Sequence, residues 1–188
     1  LTELDATKQD TELAAHARML ASDVALHQLA IQEAIDALGT VPSSTSASLW
    51  PWCSRRAALA LEAGEAFALP TGAPTSLVQG TEERDGSVDQ AIVREVLVAN
   101  DGDLENALSE YARVHAQFDA LPFDARLRAA SFGWTLSQRT SNNALSSRFA
   151  AHARAFLEQT MATLSEDDRA TFRSSKLYRR FLSATPSA

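Results

Sequence analysis

Between Lys8 and Leu38 the apolar residues Leu13, Leu20, Val24, Ile31, Ile35 and Leu38 recur at steps of three, four and seven, and Gly39 follows as a stop. That spacing puts them on one face of an α-helix, either one long helix or two with Ser22-Asp23 capping the second. The same period returns in segment after segment, and no stretch reads convincingly as a strand. Leu and Ala dominate the apolar residues, and the β-branched ones are thinly spread, a balance that favours helix over sheet. The sequence therefore predicts an all-α fold.

Residues 40–53, with Pro42, a Ser/Thr run and Trp50-Pro51-Trp52, read as a loop carrying an aromatic anchor. Ser54 is placed to cap a helix reaching about Phe67, with Leu59, Ala63, Ala66 and Phe67 as its buried stripe. Leu69 to Gly86 is punctuated by Pro70, Gly72, Pro74, Gly80 and Gly86, a long connection of the kind that binds something or moves. Ser87-Val88-Asp89-Gln90 has the form of a capping box. The helix that follows uses Ile92, Val93, Val96 and Leu97 and ends at Asn100-Asp101-Gly102. Asp101 or Asp103 caps the next, which runs along Leu104, Leu108, Tyr111 and Phe118 to Pro122. Asp124 opens a helix with Leu127 and Trp134. Ser141 or Asn142 opens another through Leu145, Phe149, Phe156 and Leu157, and Ser165 opens the last, with acids in its first turn and bases toward its end.

The expectation is one domain, 1–188, of about seven helices in antiparallel hairpins, forming a short solenoid. Ala107-Leu108-Ser109 matches Ala144-Leu145-Ser146 at an offset of 37, close to the period of tetratricopeptide and pentatricopeptide units.

Val93 to Asp124 resembles one pentatricopeptide unit: an apolar first helix, then Asn-Asp-Gly-Asp-Leu-Glu-Asn-Ala-Leu-Ser-Glu-Tyr at 100–111, then Leu121-Pro122-Phe123-Asp124. The next unit is degenerate, with Asn142-Asn143 where the turn glycine would stand. In its short, acidic, all-helical make-up the chain is similar in kind to the extra F1 subunit of euglenozoan mitochondrial ATP synthases. The resemblance implies an accessory protein docked on the outside of a catalytic head, in the mitochondrial matrix after removal of a presequence; a chain beginning at Leu1 rather than Met fits that expectation.

Composition narrows the alternatives. All 24 acidic residues and 12 of the 17 basic ones lie in 1–168, which sum to −12, whereas Arg169, Arg173, Lys176, Arg179 and Arg180 leave the last twenty residues at +5. An acidic body repels nucleic acid, so an RNA-binding pentatricopeptide protein is the weaker reading, and the basic end suits an acidic protein surface. No apolar run is long enough to span a bilayer. The single Cys53 rules out an internal disulfide framework and fits an intracellular location.

No constellation points to catalysis, a cofactor or a metal. His16, His27, His115 and His152 include no pair at i, i+4, although His16 and His152 share the string Ala-Ala-His-Ala-Arg. Asp101-Gly102-Asp103-Leu104-Glu105 lacks the ligand spacing of a calcium loop, and helix capping accounts for its acids. Glu62 and Glu65 read as a solvated helix face. The expected function is a non-catalytic subunit that binds other protein subunits, through Trp50 and Trp52 in their loop and through Lys176, Arg179 and Arg180 on the last helix. A third reading is a small-molecule-binding helical protein, with the 69–86 loop as a lid over a pocket.

Overall fold

The computed structural model describes residues 3–43, 46–73, 88–116 and 123–183. Among these the chain is all-α, with nine helices and no strand: α1 (Glu3–His27), α2 (Ile31–Leu38), α3 (Leu49–Ala63), α4 (Val88–Asn100), α5 (Leu104–His115), α6 (Phe123–Arg139), α7 (Asn143–Thr163), α8 (Glu166–Ser174) and α9 (Lys176–Ser183).

Two of the extra helices come from breaks that carry neither glycine nor proline. α1 ends where Leu29 adopts φ 53° and the Ala30 amide donates back to the Ala25 carbonyl at 3.1 Å, so a leucine occupies the left-handed position usually given to glycine. Ser22 and Asp23 are thus inside α1 and do not cap a second helix; the Ser22 hydroxyl instead donates to the Ala34 carbonyl of α2 at 2.8 Å. The expected last helix is likewise two, because Ser175 is extended between α8 and α9 (φ −62°, ψ 139°).

The region around α3 also departs from expectation. The helix starts at Leu49, so Trp50 and Trp52 lie in its first turn rather than in a loop, and Ser54 is interior to it. Its end comes earlier than Phe67: Gly64 takes a left-handed conformation (φ 75°, ψ 25°), and the Glu65 amide returns to the Ala60 carbonyl at 2.8 Å. Leu59 and Phe67 are buried as expected, whereas Ala63 and Ala66 are exposed. Residues 74–87, which include Ser87 and most of the long connection, and residues 117–122, with Phe118 and Pro122, lie outside the described residues.

Two alternatives left open by the sequence are resolved. Asp103 caps α5 by accepting from the Asn106 amide at 3.3 Å, and Asn142 caps α7 by accepting from the Leu145 amide at 3.1 Å. Ser165 caps α8 by accepting from the Asp168 amide.

From α1 to α7 successive helices pack on one another, but α6 also reaches α3 and α4, and α9 returns to α1 and α7 as well as packing on α8. α4 lies deep, with Ile92, Val93 and Val96 fully buried, and the Tyr111 hydroxyl ties α5 to α6 by donating to the Ala129 carbonyl at 2.8 Å. Fully buried side chains of this kind contribute about 1.5–3 kcal/mol each by leaving water. The apolar residues form two clusters. One runs from α1 to α6 and takes in Phe149; the other lies among α6, α7 and α9, and Trp134 packs against both. α6 and α7 approach closely at Gly133, where a Cβ would stand 2.5 Å from the Phe149 ring.

The two Ala-Leu-Ser strings sit at different depths. Ala107 and Leu108 are core residues of α5, whereas Ala144 is exposed, Leu145 half-buried and Ser146 buried in α7.

Candidate functional site

The apolar stripe of α1 does not face the core. Leu13, Leu20 and Val24 are 68, 53 and 68% exposed, and the face that packs inward carries Ala15, Met19 and Ser22 instead. At 3.6 residues per turn the two sets lie on opposite sides of the helix. The small Ser22 lets α2 come close, and its hydroxyl bonds the Ala34 carbonyl there. Large apolar side chains left exposed along one side of a helix are a surface that a partner can cover.

Of the residues the sequence nominated for partner binding, the structure leaves some outside and draws others in. Trp52 is a core residue, 7% exposed, whose indole N–H donates to the Leu38 carbonyl at 3.3 Å; Trp50 is half-buried against the same cluster. On α9, Leu177, Tyr178 and Phe181 are buried while Lys176 and Arg179 are exposed. Arg180 turns inward. Its guanidinium donates to both carboxylate oxygens of Glu62, at 2.9 and 3.2 Å, and lies 4.1 Å over the Trp134 ring. Glu62 is therefore no solvated helix residue: its side chain is 20% exposed and also accepts from the Thr135 hydroxyl at 2.6 Å. Glu65 does lie at the surface and pairs with Arg56.

Beside Arg180, α1, α3, α6 and α9 line a pocket of about 260 Å³ that is partly open to solvent. Leu26, Ala58, Leu59, Leu127, Phe132, Leu177 and Phe181 make its wall mostly apolar. The charged residues that line it are matched: Arg55 holds Asp23 by two bonds at 2.9 and 2.7 Å, Arg180 holds Glu62, and Arg128 donates to Asp89 at 3.1 Å. The polar lining residues are not all so provided for. His27, half-buried at the end of α1, makes no hydrogen bond to a described residue, and burial pulls its pKa below the ordinary histidine value despite the nearby Asp23 carboxylate. The Ser131 hydroxyl and the Trp134 indole N–H are buried without a hydrogen-bond partner. No local pattern in the chain signals this pocket, because its wall is drawn from four helices spread between Ser22 and Phe181.

The remaining chemistry-bearing groups are absorbed into packing. His152 stacks on His115, with ring centres 5.2 Å apart, rather than meeting His16, which is exposed on α1. The Ser54 hydroxyl donates to the Asp89 carboxylate, joining α3 to α4; no histidine shares that bond, so the pair lacks the base a serine nucleophile requires. Burial, aided by the Asp89 charge, pushes the Cys53 thiol up to about 11, which keeps it protonated and unreactive. Among the described residues no three His, Cys, Asp or Glu side chains are grouped to hold a metal ion, and no helix is long and apolar enough to cross a membrane.

No family model matches the chain, and no curated protein or solved structure is significantly similar to it.

Proposed function

We propose that the chain is a non-catalytic helical subunit that docks on a larger protein assembly through the outer face of α1. The observation that carries this reading is the exposed stripe of Leu13, Leu20 and Val24. α9 also packs on α1, and it presents Lys176 and Arg179 to solvent, so the surface offers an apolar stripe on one helix and positive charge on another. The partner that suits this pairing is a protein surface with an apolar centre and an acidic rim. The pentatricopeptide-like stretch 93–124 and the resemblance to the extra F1 subunit of euglenozoan ATP synthases name the most concrete such assembly, the catalytic head of a mitochondrial ATP synthase, and with it the mitochondrial matrix. An RNA-binding role finds less support, since a body at −12 opposes a phosphate backbone.

The test is purification of the complex under gentle conditions from the native source, with a photo-crosslinking residue at position 20. Stoichiometric ATP synthase subunits, at least one of them cross-linked through position 20, support the reading. A free monomer, or a stoichiometric complex that never cross-links there, overturns the assignment of α1 as the docking face.

A further inference from the structure

The pocket among α1, α3, α6 and α9 lies where the two apolar clusters meet. Leu59 and Phe132, with Leu26 packed against them, belong to one cluster, and Leu127, Leu177 and Phe181 belong to the other; all six line the pocket. Trp134 joins the clusters, yet between them they leave a space of about 260 Å³ that is partly open to solvent. Interiors as a rule close to the density of organic crystals, whereas here water reaches hydrocarbon from both clusters, a contact that an apolar guest would relieve. The charges beside that wall answer one another: Arg55 holds Asp23, Arg180 holds Glu62, and Arg128 holds Asp89. Each lining arginine and carboxylate thus has a counter-ion already, and the open side lets a polar group on the guest stay in water.

We propose that this pocket binds the apolar end of a small amphiphilic molecule whose polar head remains outside. An apolar cavity of about 150 Å³ takes benzene, so the wall here surrounds a hydrocarbon body of about ten carbons, the size of two fused rings. Contact with Leu26, Leu59, Leu127 and Phe132 supplies the affinity, and the head adds little to it. Ser22 and Leu26 meet the pocket from the side of α1 opposite the exposed stripe, so this site is separate from the docking face.

The probes are 2-(2-naphthyl)ethanol, 2-naphthylacetate and 2-(2-naphthyl)ethylamine, which share one fluorescent body and are neutral, anionic and cationic at pH 7. They are titrated into the full chain at physiological salt, which screens its net charge of −7, beside 2-phenylethanol. All three naphthyl compounds should bind saturably and one to one, within about threefold of one another, because a head left in water is not desolvated. The phenyl compound should bind at least about tenfold more weakly, since it covers less of the wall. Methyl NMR of the leucine-labelled wild-type chain should show shifts at Leu26, Leu59 and Leu127. Ala58→Phe, which puts a ring into the pocket, should abolish binding while thermal melts show a folded chain; if that variant does not fold, the methyl shifts decide. Absence of saturable binding overturns the proposal. So does a preference of tenfold or more for one head, which would mean that a polar anchor and not the apolar wall holds the ligand. Methyl shifts confined to Leu13 and Leu20 would place the compounds on the outer face of α1, and binding that survives in a folded Ala58→Phe protein would place them outside the pocket; either result overturns the proposal.

Discussion

Arg180 sets two guanidinium nitrogens on Glu62 across 118 residues of chain, and the same group covers the Trp134 ring at 4.1 Å. One side chain near the end of α9 thus fastens it to α3 and to α6 at once. The pair is only about one-fifth exposed on either side, so it falls between a surface ion pair, of little worth, and a buried one, whose breakage leaves a costly orphan charge. With the cation–π contact included, Arg180→Ala should cost about 2–3 kcal/mol in denaturant melts. Arg180→Lys, which keeps the charge but not the fork, should recover only part of that. A double-mutant cycle with Glu62→Gln should return a coupling above about 0.5 kcal/mol; additive losses would mean that the two residues act separately.

Gly133 is required by the Phe149 ring, not by backbone conformation. A methyl group at position 133 would stand 2.5 Å from that ring, and Phe149 is 1% exposed, with Tyr111 and His115 around it. Overpacking of this kind typically costs about 1–3 kcal/mol. Gly133→Ala should therefore destabilise, even though alanine is the better helix former. Combining it with Phe149→Leu should restore part of the loss relative to Phe149→Leu alone. A stabilised Gly133→Ala protein would show that α6 and α7 can separate without penalty.

What was legible in the chain followed from local chemistry. Asp103, Asn142 and Ser165 announce their helices because a short acceptor side chain before an apolar period has few other uses. Ile92, Val93, Val96, Leu108 and Phe149 are core residues because α4, α5 and α7 each carry their large side chains inward. The failures are where tertiary packing overrode the local pattern. Leu29 ends α1 in a conformation that a sequence reader reserves for glycine, held there by its packing on the second apolar cluster. In α1 periodicity picked out Leu13, Leu20 and Val24 as one stripe but could not say whether the core covers it, and the core took the face of Ala15, Met19 and Ser22 instead. The cavity and the Glu62–Arg180 pair were invisible, since nothing within a window of helix length connects residues 118 positions apart.

Glu95 gives a signed pH dependence. It is 1% exposed, and burial holds its carboxyl above the usual range, although Arg94 donates to it at 2.8 Å and pulls the other way. A raised folded pKa means that the native state keeps its proton above the unfolded value of about 4.3. The native state then binds more protons than the unfolded one, and stability falls as pH rises through the folded pKa. Glu95→Gln retains an acceptor for Arg94 and removes this titration. The variant should match the wild type near pH 4 and be the more stable at pH 7, with the gap opening between those limits in urea melts followed over pH. A gap that is constant with pH would assign the effect to packing.

The tail of the chain calls for a narrower charge test than its composition suggested. Reversing Lys176, Arg179 and Arg180 together would confound two effects, because Arg180→Glu sets a carboxylate against Glu62 and strips the Trp134 face. Lys176 and Arg179 are exposed and make no ion pair with a described residue, so Lys176→Glu with Arg179→Glu changes the outer surface of α9 and little else. Melts of the double variant should stay within about 0.5 kcal/mol of the wild type, the range of ordinary surface changes. Assembly should weaken, mainly through slower association, and the difference should shrink as salt shortens the screening length. Changing Leu13, Leu20 and Val24 to serine should weaken assembly at every ionic strength, because removing apolar contact is not screened. Pull-downs of both variants across a salt series, beside circular dichroism, separate these behaviours. If the charge variant assembles as well as the wild type at low salt while the serine variant does not, α9 is a support for α1 and takes no part in docking; if both assemble normally, the docking face lies on another helix.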